Sequence, residues 1–200
     1  ADGDAIQAVI VATGTNTDGA RKTGITIPSG EGQVELMREV LRRSGLAADD
    51  IDYIEAHGTG TAVGDPIEAA AIGEVYGRHG ARSQPLPIGS IKTNLGHLES
   101  ASGMAGLIKA ILVLKNRALP PSLHWTTPNP HIDFAGLNLE VVTRFRALPK
   151  SGRRALAVGV NSFGFGGANA HVLLQQYRPR RQAPRRSKPE NPPLFLSART

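Results

Sequence analysis

The sequence of 200 residues contains no cysteine, and aromatic residues make up only 4% of it. The absence of cysteine excludes a disulfide scaffold, a zinc ribbon and a thiol nucleophile within this chain. Because aromatic residues are scarce, alanine, valine, isoleucine and leucine have to supply most of the core packing. The composition of 40% hydrophobic and 20% charged residues is typical of a globular protein, and the length suits one or two domains.

Long hydrophobic runs are absent as well. The longest apolar stretch, residues 104–114, is interrupted by Lys109 and is too short to span a bilayer. The first four residues lack the basic region with which a signal peptide begins. We therefore expect a cytoplasmic protein without a membrane partner. The sequence does not begin with methionine, so we expect it to be a piece of a longer chain.

The net charge of +6 is concentrated at one end of the sequence. Residues 177–200 carry seven basic side chains, one acidic side chain and five of the 14 prolines, whereas the other 176 residues carry 16 charges of each sign. A segment rich in proline and arginine is typical of a linker, so the charge does not indicate a nucleic-acid partner. We predict a folded domain over residues 1–176 and a linker over residues 177–200, in which the apolar stretch 193–197 resembles the approach to another domain.

Predicted strands and helices alternate along the sequence. Apolar, β-branched runs predict strands at residues 5–11, 51–55, 86–91, 155–160 and 170–175. A helix is predicted at residues 33–43, with Ser29 as the N-cap and Gly45 as the C-terminal stop. Further helices are predicted from a capping Asp65 with Glu68 three residues later, and near residues 101–115. The last helix is apolar almost all round, which predicts that it is buried. The alternation predicts an α/β fold with helices on both faces of a sheet.

Three loops carry residues suited to chemistry, and each follows a predicted strand. They are residues 57–61 (HGTGT), residues 92–97 (KTNLGH) and residues 161–167 (NSFGFGG). In α/β sheets, ligands bind outside the carboxyl ends of the strands. The sequence therefore predicts that His57, His97 and a glycine-rich backbone meet at one site, although either histidine alone could be a structural hydrogen-bonding residue.

Other residues and motifs favour no second chemistry. His79, His124 and His131 are interpreted as structural or exposed, and Lys92 could simply form an ion pair with Glu99. A phosphate-binding loop, an H-E-x-x-H zinc helix and the frames of serine nucleophiles are absent from the sequence. Two histidines without a third ligand make a poor metal site, so no metal is expected. The chain thus offers hydrogen-bond donors and an anion-stabilising loop, but no nucleophile.

The three loops, the last of them extended to residue 171 as NSFGFGGANAH, resemble the signature loops of β-ketoacyl synthases. The resemblance is closest to the ketosynthase domain of modular type I polyketide synthases and covers about residues 5–176. It implies a thiolase-like αβαβα sandwich of which this chain is the C-terminal half, a mixed sheet covered by helices. The cysteine of the family's Cys-His-His triad belongs to the N-terminal half, so the resemblance implies that this fragment is inactive alone.

The resemblance also implies roles for residues of the three loops. His57 and His97 match the family's two histidines, which stabilise the enolate formed when a malonyl-type thioester is decarboxylated. Lys92 matches a lysine expected to tune the electrostatics of the pocket. The Phe165 N–H, freed by Gly164 and its other glycine neighbour, matches the oxyanion-hole donor, and its ring would be a gate.

Partners and substrates are implied in the same way. Thr59 and Thr61 match positions that hydrogen-bond the phosphopantetheine arm of an acyl carrier protein, and no cofactor is expected to bind directly. The implied partners are the N-terminal half, the acyl carrier protein, a downstream acyltransferase domain and a second copy in a homodimer.

Two alternatives to a condensing enzyme remain. A non-elongating or chain-length-factor-like ketosynthase would bind acyl carrier protein without condensing, but it would have no chemical need for His57 and His97. A thiolase-type enzyme is disfavoured because all three loops resemble synthases.

Overall fold

A computed structural model describes residues 5–22, 24, 26–78, 82–149 and 154–178. The predicted linker over residues 177–200 lies outside the described residues beyond Arg178, and so does the interpretation of His79. In the described part of the chain, no helix combines the length and the apolar character that crossing a membrane would require.

The described residues form eight strands and four α-helices. The strands are β1 (Val9–Thr17), β2 (Ile51–Glu55), β3 (Leu86–Gly89), β4 (Ala118–Leu119), β5 (Leu139–Val141), β6 (Arg146–Ala147), β7 (Ala157–Phe163) and β8 (Ala168–Gln175). The helices are α1 (Gly30–Ser44), α2 (Gly64–Ile72), α3 (Lys92–Leu95) and α4 (Ser102–Asn116). A π-helical turn, Gly73–Gly77, continues α2 directly.

Six of the strands form one mixed sheet in the order β1-β8-β7-β2-β3-β5, while β4 and β6 pair separately. Strands β7, β2, β3 and β5 run parallel, and β8 and β1 are antiparallel to their neighbours. One core cluster joins one face of the sheet to α1 and α2, and a second joins the other face to α4. This arrangement confirms the predicted α/β fold with helices on both faces.

Helix α1 has the ends that its sequence predicts. The Ser29 hydroxyl accepts a hydrogen bond from the Gly32 N–H at 3.1 Å, and Gly45 adopts a left-handed conformation with φ +70° just after the helix. Met37 and Val40 on the inner face are completely buried. An N-cap hydroxyl and a C-terminal glycine satisfy backbone groups that the helix itself leaves unpaired.

The start of α2 differs from the prediction. The helix begins at Gly64, and Asp65 lies in its first turn instead of capping it. The Asp65 carboxylate instead accepts a hydrogen bond from the Gly60 N–H at 3.0 Å, and the Thr61 hydroxyl accepts one from the Gly64 N–H. One side chain from the helix and one from the preceding turn therefore hydrogen-bond the backbone that leads into α2.

Strand boundaries also differ from the prediction where pairing partners decide them. Strand β1 covers residues 9–17 instead of 5–11, because it pairs with β8 as far as Thr17 opposite Ala168. Asn16 and Thr17 are consequently part of the strand. Strand β3 ends at Gly89, two residues before the predicted end, and α3 forms one helical turn in what was expected to be a loop.

The prediction that α4 is buried all round is wrong for this chain. Ala110, Val113 and Leu114 are buried in the second core cluster, as predicted. The opposite side of the helix exposes its large apolar side chains to solvent. We call this surface the α4 apolar face; its exposed members are Leu95, Leu98, Met104, Ile108, Leu112 and Phe145, which line one shallow groove.

Lys109, the one charged residue within the apolar stretch of α4, lies on the buried side of the helix. Its ammonium group is 2.7 Å from a carboxylate oxygen of Glu55 and 2.8 Å from the Tyr53 hydroxyl. The Tyr53 hydroxyl donates to the same carboxylate at 2.6 Å, and burial together with Glu55 raises the pKa of Tyr53. The other Glu55 oxygen accepts the Ile91 N–H at 2.5 Å, so the buried ion pair also fixes the end of β3.

Replacement of Lys109 tests how much this buried ion pair contributes to the free energy of unfolding. Lys109→Met should lower the free energy of unfolding by about 3–5 kcal/mol, because it leaves Glu55 buried without a counter-charge. Urea denaturation followed by circular dichroism measures the change. A double variant that adds Glu55→Gln should recover part of the loss, and Lys115→Met at the exposed end of the helix should have little effect. Equal stability of Lys109→Met and Lys115→Met would contradict the prediction.

Candidate active site

The three loops singled out in the sequence lie at one edge of the sheet. Strands β7, β2 and β3 are adjacent and parallel, so their carboxyl ends point the same way. His57 follows β2, the segment containing Lys92 and His97 follows β3, and the glycine-rich loop follows β7. The predicted convergence of the loops is therefore confirmed, and it places their side chains around one open cleft.

The two histidines are in contact. The ring centroids of His57 and His97 are 5.6 Å apart, and the ring planes are nearly perpendicular at 85°. Phe163, at the end of β7, supports the His57 ring from another side with a centroid distance of 6.1 Å. His57 is half-buried and His97 is exposed, so both rings are accessible from the cleft.

Hydrogen bonds to the two Nδ1 atoms determine where the rings carry their protons. Lys92 Nζ lies 3.5 Å from Nδ1 of His57, and the Glu99 N–H donates to Nδ1 of His97 at 2.9 Å. Glu99 adopts φ +53°, a left-handed conformation that is uncommon for a residue other than glycine. Because both Nδ1 atoms act as acceptors, each neutral ring carries its hydrogen on Nε2.

The surroundings of His57 keep it neutral. Burial, followed by the nearby Lys92 and His97, lowers the pKa of His57 to about 4. Burial also lowers the pKa of Lys92, while Glu68, Glu55 and Asp65 act in the opposite direction. The contact of Lys92 is thus with His57, and no ion pair with Glu99 occurs among the described side chains.

Glu68 fixes the backbone of His57, a role that the sequence analysis missed. One carboxylate oxygen accepts the His57 N–H at 2.8 Å and the Asn161 side-chain amide at 2.9 Å, and the other accepts the Gly58 N–H at 2.9 Å. Burial raises the pKa of Glu68, and these three donors act against the shift. The capping-box interpretation of Glu68 is therefore wrong, because its side chain points into the protein and not back along its own helix.

A signal in the sequence could have identified Glu68. Glu68, Ile72 and Val75 follow one another at spacings of four and three residues, and all three are buried. That spacing places them on one face of a helix. A carboxylate on an otherwise apolar helix face indicates a buried acceptor with a specific partner.

Gly58 allows the turn after His57 to form. It adopts φ +48°, and a Cβ atom there would lie 2.9 Å from the Cβ of Ser90. Any side chain at this position would be strained by both the backbone conformation and the neighbouring loop. The glycine therefore lets the segments after β2 and β3 approach closely.

The glycine-rich loop is a hairpin between β7 and β8. The Gly164 N–H donates to the Ala168 carbonyl at 2.7 Å, and the Gly167 N–H donates to the Gly164 carbonyl at 2.8 Å. The Phe165 side chain is 73% exposed, and its carbonyl accepts a hydrogen bond from Lys22 at 3.0 Å. Within the described residues the Phe165 N–H has no acceptor, so it is free to bind a ligand oxygen.

The two candidate phosphopantetheine-binding threonines lie on the wall of the same cleft. Their hydroxyl oxygens are 3.4 Å apart, and Thr61 also accepts the Gly64 N–H. Thr59 is half-buried and Thr61 is exposed.

The remaining described histidines differ from one another. His124 and His131 are exposed, as expected. His171 is completely buried, and burial lowers its pKa to about 3. In the described ranges, no three His, Cys, Asp or Glu side chains are grouped so that they could share a metal ion.

The arrangement can stabilise negative charge on a bound oxygen. It presents two imidazoles with N–H groups on Nε2 and a free backbone N–H around one cleft, with Lys92 beside His57. Fixed donors of this kind stabilise an oxyanion or enolate as it forms. The chain has no cysteine that could serve as a thiol nucleophile beside them.

Comparison with known families assigns most of the chain. Residues 7–126 match the family described as "Beta-ketoacyl synthase, C-terminal domain". Residues 128–200 match the family described as "Ketoacyl-synthetase C-terminal extension".

Individual relatives agree with this assignment. The polyketide synthase GfsA of Streptomyces halstedii is 52% identical over 176 residues, which are 87% of this chain and 2% of that protein. The hybrid PKS-NRPS synthetase pytA of Aspergillus terreus is 48% identical over 179 residues, which are 88% of this chain and 26% of that protein. The chain therefore spans only a small part of the curated relatives it matches.

A solved structure shows the same fold. The crystal structure of ketosynthase twelve from the bacillaene polyketide synthase of Bacillus amyloliquefaciens is 44% identical with a TM-score of 0.84. The match covers 88% of this chain and 31% of that one. The chain belongs to the β-ketoacyl synthase family, and its fold is that of the C-terminal part of a thiolase-like polyketide synthase ketosynthase.

The low pKa of His171 predicts a dependence of stability on pH. Its folded-state pKa of about 3 lies below the ordinary value of 6.5, so between these values the unfolded chain binds more protons and stability falls as the pH is lowered. The slope from this residue is at most about 1.4 kcal/mol per pH unit. His57 contributes in the same direction.

Urea denaturation between pH 4.5 and 7.5 measures this slope. His171→Gln, which keeps a donor and an acceptor but does not titrate, should flatten the dependence, whereas His131→Gln on the surface should not. An unchanged slope in His171→Gln would be the contrary result.

Proposed function

We propose that this chain supplies the histidines, the lysine and an oxyanion-hole donor of a polyketide synthase ketosynthase that performs decarboxylative Claisen condensation. The observation that carries the proposal is the contact of two imidazoles, His57 and His97, which line the same cleft as Phe165 and whose Nδ1 atoms are both engaged by donors. Hydrogen-bond donors without a nucleophile are what one half of a condensing active site would contribute. The nucleophile then comes from elsewhere in the enzyme.

A cysteine of the N-terminal half is the proposed nucleophile. Its thiolate attacks the acyl thioester carried by an acyl carrier protein, and the phosphopantetheine thiolate leaves. The negative charge of the tetrahedral intermediate develops on the acyl oxygen, where the Phe165 N–H donates a hydrogen bond. Because this chain contains no cysteine, it is inactive alone.

The second stage forms and uses an enolate. Loss of CO₂ from a malonyl-type thioester leaves the electron pair of the broken C–C bond in an enolate, with charge on the thioester oxygen. The Nε2–H groups of His57 and His97 donate to that oxygen. The enolate carbon then attacks the acylated cysteine, a C–C bond forms, and the cysteine thiolate is released as the leaving group.

Neutral imidazoles suit this task because they donate without first having to gain a proton. Lys92, 3.5 Å from Nδ1 of His57, opposes protonation of that ring and adds positive potential for the enolate. Phe165, with Gly164 beside it, is the proposed gate of the acyl pocket. Thr59 and Thr61 hydrogen-bond the phosphopantetheine arm, which carries the substrate, so no separate cofactor binds.

The α4 apolar face is the proposed contact with the N-terminal half. Met104, Ile108 and Leu112 are each about half exposed, and they lie on the helix that follows His97. An uncovered surface of this kind is unfavourable in water and is typical of an interface. Leu95 and Leu98, which flank His97 in the sequence, line the same groove, so a partner that covers it would also adjoin the histidines. We also propose that residues 177–200 are the linker to an acyltransferase domain and that the complete enzyme is a homodimer.

Removal of His97 tests the assigned chemistry. In the complete ketosynthase, His97→Ala should lower malonyl decarboxylation by about 10²–10³-fold, because one of the enolate donors is lost. Acylation of the cysteine should stay measurable, since the thiolate and the Phe165 N–H remain. Release of CO₂ from a malonyl thioester and acylation followed by mass spectrometry are the two measurements. Undiminished decarboxylation would refute the role.

Exposure of the α4 apolar face should make the isolated 200-residue chain associate. The double variant Ile108→Glu, Leu112→Glu should weaken this association by about tenfold or more, because each buried aliphatic side chain is worth about 1.5–3 kcal/mol. Sedimentation velocity over a concentration series measures the effect. Ile27→Glu, at an exposed isoleucine ahead of α1, is the control. An isolated wild-type chain that stays monomeric and unfolds cooperatively would count against the proposal.

A further inference from the structure

A continuous line of buried hydrogen bonds leads from Tyr76 to the backbone of His57. The Tyr76 hydroxyl is 2.7 Å from Nε2 of His171, and Nδ1 of His171 is 2.6 Å from the side-chain oxygen of Asn161. The Asn161 amide donates to Glu68 at 2.9 Å, and Glu68 accepts the His57 N–H at 2.8 Å. All four side chains in the line are at most 5% exposed.

The direction of every hydrogen bond in this line follows from its chemistry. The Asn161 oxygen can only accept, so Nδ1 of His171 carries the hydrogen. Because burial keeps His171 neutral, its Nε2 is an acceptor and the Tyr76 hydroxyl donates to it. Each donor therefore points along the line toward Glu68, whose carboxylate is the terminal acceptor.

This line of hydrogen bonds connects one helical segment to two strands. Tyr76 and Glu68 both come from α2 and its π-helical continuation, eight residues apart. His171 and Asn161 are directly opposite one another on β8 and β7. The helical segment therefore contacts this cross-strand pair through two side chains, Tyr76 and Glu68. Glu68 in turn accepts the backbone N–H of His57 and so holds the turn that carries this histidine.

Packing alone does not explain these four polar residues. Their surroundings are the apolar core between α1, α2 and the sheet. Buried polar groups add little net stability compared with apolar groups of the same shape, but they fix geometry when all of them are paired. Here every bond of the line is made, and its end is a backbone N–H next to the reacting ring.

We propose that His171, oriented by Tyr76, is a positioning residue. Through Asn161 and Glu68 it holds the His57 ring in its contact with His97. The proposal rests on the proposed function, because its consequence is a change in the rate of enolate formation. Loss of the His171 hydrogen bonds would leave Asn161 free to turn, and Glu68 would lose one of its three donors. The His57 ring would then sample positions away from its contact with His97.

Variants at two positions test the proposal in the complete ketosynthase. His171→Leu removes the donor and the acceptor, Tyr76→Phe removes only the first donor, and His171→Gln keeps both functions at position 171. We expect the kcat of malonyl decarboxylation to fall by about 10–100-fold in His171→Leu and by less in Tyr76→Phe, since small displacements of a reacting group have effects of this size. His171→Gln should recover most of the rate. The KM should change by less than about threefold in each variant, because the substrate-binding threonines are untouched.

A stability control separates positioning from folding. Leu174 lies on the same strand but packs in the core cluster on the other face of the sheet. Leu174→Ala should therefore destabilise the protein while leaving kcat per folded molecule within about twofold. The folded fraction is measured for every variant by near-ultraviolet circular dichroism. The positioning role is overturned if His171→Leu keeps the wild-type kcat, if Leu174→Ala lowers kcat equally, or if His171→Gln recovers nothing.

The same assay distinguishes failure of the underlying function. His57→Ala should abolish decarboxylation if the proposed function is correct. A wild-type rate in His57→Ala would refute the proposed function, whereas a large loss there combined with a wild-type rate in His171→Leu would refute only the positioning role.

Discussion

The parallel pairing of β7, β2 and β3 is the constraint on which the candidate site depends. Parallel neighbours end at the same edge of a sheet, so the residues that follow these strands are brought together although they lie up to about a hundred positions apart. His57, His97 and the Phe165 loop meet for this reason. The pairing also requires cover on both faces, which the helices provide.

Two buried carboxylates fix the positions of the loops that the parallel strands bring together. Glu55, paired with Lys109, accepts the backbone N–H of Ile91 at the end of β3, and Glu68 accepts the N–H groups of His57 and Gly58 after β2. Each carboxylate thus holds the start of one functional loop. Charges are costly to bury, and the N–H donors and the ammonium group offset that cost here while making the positions of the loops specific.

The candidate site and the α4 apolar face each lack something that a partner could supply. The cleft has donors for an enolate or an oxyanion but no thiol, and the helix after His97 exposes aliphatic side chains on the side away from the sheet. A partner half that covers the helix and contributes the thiol accounts for both observations. The proposed mechanism therefore assigns charge stabilisation to this chain and covalent chemistry to its partner.

The sequence by itself determined the α/β class, the ends of α1, strand β2 and the three loops, because these depend on local periodicity, caps and glycine turns. It also carried the family resemblance, which resides in contiguous residues. Only the tertiary structure decided that Glu68 binds the His57 backbone, that His171 joins Tyr76 to Asn161, and that one side of α4 is uncovered. The partners in those contacts are far apart in sequence, and the direction in which a polar side chain points is set by what packs against it.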